Sequence, residues 1–184
     1  PQVTIEDGHA IVTGNGRWDE RYLVAKNEFE RQAGDSYSGR IATGGGNVRR
    51  FMWGLKSSND NFDYRQFVYA IYFRDGNIQI YEDGSNRGTH GTFDYDTMYD
   101  LRIELKDEGA TYYMREMGQT EWNQIYDSDY SGATPLRLGI TMDNGVAIVS
   151  LFSGPDGPLG LPPSLAPHLA ASPVTYGVPG TYQP

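Results

Sequence analysis

The pattern that most strongly indicates a fold is the pair of runs Phe67-Val-Tyr-Ala-Ile-Tyr-Phe73 and Ile78-Gln-Ile-Tyr-Glu82, joined by Arg74-Asp-Gly-Asn77. Both runs are rich in aromatic and β-branched residues, and Asp-Gly between two such runs predicts a hairpin turn. Similar runs follow, separated by turns and not by helical segments: Tyr99–Lys106, Thr111–Met114, Leu136–Ile140 and Val146–Phe152. Short strands in series without helices predict an all-β chain folded as an antiparallel two-sheet sandwich.

Individual runs predict where strands lie in the sheets. Apolar and charged residues alternate strictly from Tyr99 to Lys106, which indicates one buried face and one face in water. Val146–Phe152 is more uniformly apolar, so we expect a central strand, and the last one. Val3–Ile5 and Ala10–Thr13 predict two strands around an Asp-Gly turn. Residues 26–33 predict a strand or a loop, since Phe29 lacks apolar neighbours at helical spacing.

The composition changes after Phe152. Prolines and glycines dominate the remaining residues, and proline at this density cannot donate the hydrogen bonds of a sheet interior. The sequence therefore predicts a β-sandwich over residues 1–152 and an extended Pro/Gly-rich tail or linker over residues 153–184.

Charge and cysteine content exclude several classes of function. The chain of 184 residues has 24 acidic and 15 basic residues, a net charge of -9, and no cysteine. An acidic chain lacks the basic footprint that nucleic acids and anionic membranes require. Disulfides, cysteine zinc sites and thiol catalysis are excluded, and no apolar run is long enough to predict a membrane span.

The order of the motifs resembles a known superfamily. Tyr69–Tyr72, Ile80–Gly84, Gly88–Gly91, Tyr99–Leu105 and Thr111–Tyr113 follow one another as in bacterial surface and secreted modules. This part of the chain resembles the concanavalin A-like lectin/glucanase superfamily. The resemblance implies a jelly roll of two antiparallel sheets, an architecture shared with laminin-G-like and SPRY-like domains. It also implies sugar binding at a sheet face or at end loops, with calcium in some members.

The same resemblance argues against catalysis. The glucanase members carry Glu-x-Asp-x-x-Glu or Glu-x-Asp-x-Glu on one strand, where two glutamates act as nucleophile and acid. No such run occurs in this sequence. We therefore expect no enzymatic activity and no catalytic residues.

Exposed aromatic and polar side chains are the candidate ligand-binding groups. An exposed aromatic ring can stack on a pyranose ring or form part of a protein interface. A polar loop, Asn86–His90, follows the strand ending at Glu82 and offers hydrogen-bonding groups for sugar hydroxyls or a uronate. The alternative is that the aromatic rings only cover the edges of the sheets. The candidates are Trp122, Tyr112, Tyr113, Asn86, Arg87, His90 and Trp18.

An acidic loop is the candidate calcium site. Asp60, Asn61 and Asp63 offer oxygen ligands between two predicted strands. The alternative is a solvated turn in which Asn and Asp side chains cap backbone groups. A second acidic segment, Asp127–Asp129, has the same two interpretations, and no other cofactor is expected.

These observations favour a non-catalytic extracellular or cell-surface module that binds carbohydrate or mediates adhesion. The predicted partner is a glycan or another protein surface. The alternative is a structural subunit of an extracellular filament or coat. In that case the apolar segment Val3–Ile5 and residues 154–184 would join copies of the chain into an oligomer or filament.

Overall fold

The chain folds into short strands. The computed structural model describes residues 3–6, 9–14, 16–18, 21–25, 27–43, 50–57, 59, 61–154 and 157–158, which contain no α-helix and one 3-10 turn at Tyr64–Gln66. The strands are β1 Val3–Glu6, β2 His9–Thr13, β3 Tyr22–Val24, β4 Ser36–Thr43, β5 Arg50–Ser57, β6 Phe67–Arg74, β7 Asn77–Glu82, β8 Ser85–Thr92, β9 Met98–Leu105, β10 Ala110–Glu116, β11 Asn123–Ser128, β12 Leu136–Asn144, β13 Val146–Gly154 and β14 Gly157–Pro158.

The strands form two antiparallel sheets. The eight-stranded sheet has the order β1-β2-β13-β4-β9-β10-β11, and the short β14 pairs with β13. The six-stranded sheet has the order β3-β12-β5-β6-β7-β8. The prediction of an antiparallel two-sheet sandwich is confirmed. No helix among the described residues is long and apolar enough to cross a membrane.

Two hairpin turns fix the register of β6, β7 and β8. Asp75 and Gly76 have φ angles of 49° and 84°, and Asp83 and Gly84 have φ angles of 49° and 74°. Positive φ at both central residues is the type I′ geometry, which matches the twist of the strands that it joins. The hairpin predicted at Asp75-Gly76 is therefore confirmed, and the Asp83-Gly84 turn pairs Glu82 with Ser85 and Tyr81 with Asn86.

Large side chains fill the space between the sheets. Trp53, Tyr37, Tyr69 and Phe51 are each less than 2% exposed. Trp53 projects from β5 of one sheet onto the backbone of Gly39 in β4 of the other. A Cβ atom at Gly39 would lie 2.3 Å from Trp53 Nε1. Glycine is thus the residue that lets the indole reach the opposite sheet.

Strand β6 is buried on both of its faces. Tyr69, Ile71 and Phe73 belong to the core between the sheets. The alternate residues belong to a second apolar cluster on the outer face of the six-stranded sheet, and three aromatic side chains from other segments pack against it. This cluster contains Met52, Phe67, Ala70 and Tyr72, covered by Trp18, Tyr64 and Tyr81.

The two ends of the predicted sandwich fit differently. The segment Val3–Glu6 pairs along its length with β2 of the same chain, as the predicted Asp-Gly turn requires. Strand β13 lies between β2 and β4, so its predicted central position is confirmed, but the two-residue strand β14 follows it. Of the predicted tail, only residues 153–154 and 157–158 belong to the described part of the chain. The boundary at residue 152 stays a prediction.

Of two other segments, the first differs from its prediction and the second agrees with the predicted strand or loop. Asn86–His90 is not a loop but belongs to the edge strand β8. Its composition gave no sign of a strand, because its residues are polar and mostly exposed and show no alternation of apolar and polar side chains. Between residues 27 and 33, only Phe29 makes a β-bridge, to Leu136.

Replacement of Gly39 by alanine should destabilise the sandwich. The added Cβ has no room beside Trp53, and overpacking a close contact of this kind costs about 1–3 kcal/mol. Urea unfolding of Gly39→Ala should show this loss in the free energy of unfolding. Gly91→Ala is the matched control, because a Cβ there meets no atom within 4 Å. Equal stability of Gly39→Ala and the unchanged chain would contradict the proposed contact.

Candidate functional sites

The seven predicted ligand-binding residues do not form one site. Their positions divide between the two outer faces of the sandwich, the edge where β8 faces β11, and the interior. Trp18 and Asn86 lie on the outer face of the six-stranded sheet, Tyr113 and Trp122 on the outer face of the eight-stranded sheet, Arg87 and His90 at the edge, and Tyr112 in the interior.

The outer face of the six-stranded sheet carries four aromatic rings in contact. The centroid of Trp18 lies 5.4 Å from that of Tyr64 and 5.5 Å from that of Tyr72. Tyr81 lies 5.3 Å from Tyr72 and 6.3 Å from Tyr64. Tyr72 is buried beneath the other three, which are half-buried. The hydroxyl of Thr141 donates to the carbonyl oxygen of Trp18 and so ties this segment to the sheet.

Polar side chains extend the same surface onto β7 and β8. The amide of Asn86 donates to Gln79 Oε1 at 3.3 Å and to the hydroxyl of Tyr81 at 3.4 Å. The amide of Gln79 donates in turn to Thr89 Oγ1 at 3.4 Å. This network joins uncharged amides and hydroxyls at the border of the aromatic rings. We call the whole surface the Tyr81 face; it comprises Trp18, Tyr64, Tyr72, Tyr81, Gln79, Asn86 and Thr89.

Only two members of the Tyr81 face, Trp18 and Asn86, were singled out from the sequence. Tyr81 and Gln79 were missed, although a signal existed. The Asp83-Gly84 turn places Tyr81 opposite Asn86, and period-two alternation on β7 places Gln79 on the same face as Tyr81. Tyr72 had the same kind of signal, because the Asp75-Gly76 turn places it opposite Gln79. Tyr64 had none, because its place depends on how separate segments pack.

The outer face of the eight-stranded sheet carries a different group. Tyr113 of β10 and Trp122, just before β11, lie near each other with ring centroids 6.5 Å apart. Two arginines pack on these rings: Arg102 on both, and Arg115 on Trp122. We call Tyr113, Trp122, Arg102 and Arg115 the Arg102 patch.

The prediction that Tyr112 is an exposed aromatic residue is wrong. It is 0% exposed, because β10 pairs it with Ile103, an inward-facing residue of β9. Its hydroxyl donates to Glu82 Oε1 at 2.8 Å, and Arg87 Nε donates to Glu82 Oε2 at 3.0 Å. The buried carboxylate thus receives a donor from each sheet and links the two.

Arg87 and His90 take part in contacts within the chain. The guanidinium of Arg87 lies 5.4 Å from the ring centroid of Tyr130. The His90 ring lies 4.5 Å from Tyr126 of β11, and its Nε2 lies 3.0 Å from the carbonyl oxygen of Arg87. These side chains connect the edge strand β8 to the other sheet and do not project together as a loop site.

The described part of the candidate calcium loop follows the capping alternative. Asn61 Oδ1 accepts from the backbone of Asp63, and Asp63 Oδ1 accepts from the backbone and side chain of Arg65. Asp60 lies outside the described residues. The ammonium of Lys56 donates to the carbonyl oxygens of Ser57 and, at 2.6 Å, of Asn59. The cation held beside this loop is therefore a lysine side chain.

The second acidic segment is similarly engaged. Asp127 belongs to β11, and its Oδ1 accepts from Lys106 Nζ at 2.8 Å and from Thr111 Oγ1 at 2.6 Å. The hydrogen bond from Lys106 is the main cause that lowers the pKa of this carboxyl. Across the described part of the chain, no three or more His, Cys, Asp or Glu side chains form a group suited to a metal ion.

Comparison with known proteins identifies the fold and no family. No protein-family model and no curated protein sequence matches the chain. The carbohydrate recognition domain of Emp46p, in its metal-free form, matches with a TM-score of 0.61 and 15% identity, over 85% of this chain and 86% of that one. The SPRY domain of human HERC1 matches with a TM-score of 0.54 and 13% identity, over 81% and 92%.

An enzyme is among the structural neighbours. The xylan beta-1,4-xylosidase from Bacillus halodurans C-125 matches with a TM-score of 0.53 and 11% identity, over 80% of this chain but 33% of the enzyme. This chain therefore resembles about a third of that protein. Together with the sheet topology, these matches confirm that the chain has the concanavalin A-like jelly-roll fold.

Alkaline pH should unfold the protein through its buried tyrosines. Burial, together with the charge of Glu82, raises the pKa of Tyr112 well above its ordinary value of 10.0, and burial raises the pKa of Tyr72 to about 12. Above pH 10 the unfolded chain loses these protons while the folded chain keeps them. The free energy of unfolding should then fall with rising pH, by up to about 1.4 kcal/mol per pH unit for Tyr112 alone.

Urea unfolding between about pH 9 and 11.5 measures this loss. Tyr112→Phe removes one of the titrating groups, so the free energy of unfolding of this variant should decline less steeply above pH 10. The same slope in both proteins would show that Tyr112 ionises as readily in the folded chain as in the unfolded one.

Proposed function

We propose that the chain is a non-catalytic extracellular module that binds a neutral carbohydrate on the Tyr81 face. The observation that carries the proposal is that a cluster of aromatic rings borders directly on a network of uncharged hydrogen-bonding side chains. Tyr81 belongs to both, since it contacts Tyr72 and Tyr64 and its hydroxyl accepts from Asn86. A sugar needs this combination, because its C–H face packs on aromatic rings while its hydroxyls need donors and acceptors.

The contacts within the surface support the same role. Tyr72 is buried below Tyr81, and Asn86 is tied to both Gln79 and Tyr81. Side chains held in this way lose little conformational entropy when a ligand binds. The hydrogen-bonding network contains no charged side chain, and Arg65, which lies over Tyr64, is paired with Asp63, so the surface favours a neutral sugar over an acidic one. The fold agrees with this role, since the matched domain of Emp46p is named a carbohydrate recognition domain.

The positions of the buried acids support a non-catalytic module. Glu82 and Asp100 are 1% and 7% exposed. Glu82 points between the sheets and is paired with Arg87, whereas Asp100 lies on the outer face of the eight-stranded sheet and is paired with Arg40 and Arg115. Glycosidases of the two-carboxylate type need both acids on one site, about 5–10 Å apart.

No observation favours the filament or coat alternative. Its predicted N-terminal arm is strand β1, paired within its own sheet. Most of its predicted C-terminal tail lies outside the described residues, so an oligomer formed through residues 154–184 stays untested.

A glycan array followed by calorimetric titration of the strongest neutral hit tests the proposal. Tyr81→Ala and Asn86→Ala should each weaken binding by about tenfold or more, equivalent to ~1.4 kcal/mol. Tyr95→Ala is the control, because Tyr95 is an exposed tyrosine, at 40%, outside the Tyr81 face. The bound glycan should be recovered without cleavage.

Two results would contradict the proposed function. An array without a neutral hit would show that the chain does not bind a neutral glycan of the kinds tested. Unchanged affinity in both Tyr81→Ala and Asn86→Ala would show that the binding site lies outside the Tyr81 face. Release of shortened sugar from the titrated glycan would overturn the non-catalytic assignment.

A further inference from the structure

The Arg102 patch contains a guanidinium that lies against two aromatic rings, which stand at 73° to each other. The Cζ atom of Arg102 lies 4.2 Å from the ring centroid of Tyr113 and 4.6 Å from that of Trp122. Tyr113 stands opposite Arg102 in the pairing of β10 with β9. Both rings are half-buried, and the Arg102 side chain is 26% exposed. The guanidinium is thus fixed in place and still reaches solvent.

The neighbouring arginines have a carboxylate partner. Asp100 accepts from Arg40 Nε at 2.6 Å and from Arg115 Nε at 3.2 Å. Arg115 also donates to the carbonyl oxygen of Thr120 at 3.0 Å. A single carboxylate therefore serves both of these cations.

Arg102 has only a looser carboxylate partner, Glu104. Its closest approach to an acid is 4.0 Å, from Nη2 to Glu104 Oε2, too long for a hydrogen bond. Its Nε is buried and makes no hydrogen bond to any residue that the structure describes. The two aromatic rings contact this guanidinium more closely than the Glu104 carboxylate does, and no carboxylate forms a hydrogen bond with its terminal nitrogens among the described residues, so they stay available for a carboxylate ligand.

The kind of ligand follows from the surroundings of the cation. A sugar acid such as a hexuronate carries its carboxylate directly on the pyranose ring, so one residue presents an anion beside an apolar C–H face. That pairing matches a guanidinium lying within 4.6 Å of two aromatic centroids. An aspartate or glutamate side chain supplies the anion but no ring face. The net charge of -9 repels polyanions at long range, so affinity must come from these local contacts.

We propose that the Arg102 patch is a second carbohydrate-binding surface, specific for uronate residues. Arg102 binds the carboxylate through its terminal nitrogens, and the parts of Trp122 and Tyr113 that the arginines do not cover contact the sugar ring. The inference rests on the proposed function in that the ligand is a carbohydrate. It differs from that function in the sheet that binds and in the charge of the sugar, because the Tyr81 face lies on the opposite side of the sandwich.

Titration with three uronate polymers tests the inference: polygalacturonate, alginate and hyaluronan. The unchanged chain should bind at least one of these polymers. The methyl ester of that polymer should bind with an affinity at least about tenfold lower, since esterification removes the charge-assisted hydrogen bonds. Arg102→Gln and Trp122→Ala should each cause a similar loss. Arg102→Lys should also lose most of the binding, because a lysine keeps the charge but not the stacked planar fork.

Controls separate this surface from the general charge and from the Tyr81 face. Arg74→Gln makes the same charge change at an exposed arginine elsewhere and should bind as the unchanged chain does. Tyr81→Ala should keep uronate binding, and Arg102→Gln should keep the binding of a neutral glycan. Circular dichroism of each variant confirms that it is folded.

Three results would overturn the proposal: binding of none of the three polymers, full affinity in Arg102→Gln, or equal competition by poly-glutamate. The last result would mean that the patch binds carboxylates of a peptide without regard to a sugar ring. If the unchanged chain binds a uronate polymer but no neutral glycan, the result counts against the Tyr81 face and agrees with the proposed role of the Arg102 patch.

Discussion

The sandwich depends on the contact of Trp53 with the backbone of Gly39. Trp53 is 0% exposed and sits on β5 near the middle of the six-stranded sheet, and Gly39 sits on β4 within the eight-stranded sheet. The indole spans the gap because no side chain opposes it. Its Nε1 is buried and has no hydrogen-bond partner among the described residues. This burial costs free energy, so the packing of the large ring outweighs the lost hydrogen bond at this position.

This packing determines which surfaces are left for recognition. With the core filled from both sheets, alternate residues of each strand must face outward. On the six-stranded sheet they meet Trp18 and Tyr64 and form the neutral Tyr81 face. On the eight-stranded sheet several of them are charged: Asp100 is paired with Arg40 and Arg115, and Arg102 lies against Tyr113 and Trp122. One fold therefore presents a mainly uncharged surface on one side and a surface that carries arginines on the other.

Local sequence signals predicted the hairpin at Asp75-Gly76 and the inward face of β9 correctly, because turn chemistry and period-two alternation act over a few residues. Tyr112 was misassigned although the same logic applies to it. Of two adjacent tyrosines in a strand, one faces in, and the pairing of Tyr112 with Ile103 shows which. The positions of Arg87 and His90 could not be predicted in this way, because register shifts between β7 and β8 interrupt the alternation of inward and outward residues. The cation beside the Asn61–Asp63 loop could not be foreseen, because Lys56 reaches the loop only through the fold.

The most direct test of the central claim is to follow the side chains of the Tyr81 face while a neutral glycan binds. Nuclear magnetic resonance of the isotope-labelled chain, titrated with the strongest neutral array hit, reports the indole N–H of Trp18 and the side-chain amides of Gln79 and Asn86. If the Tyr81 face is the binding site, these signals shift together and saturate at one ligand per chain, while the indole signal of Trp122 stays in place. Shifts confined to Trp122 and its neighbours, or absent from all three reporters, would contradict this assignment of the site.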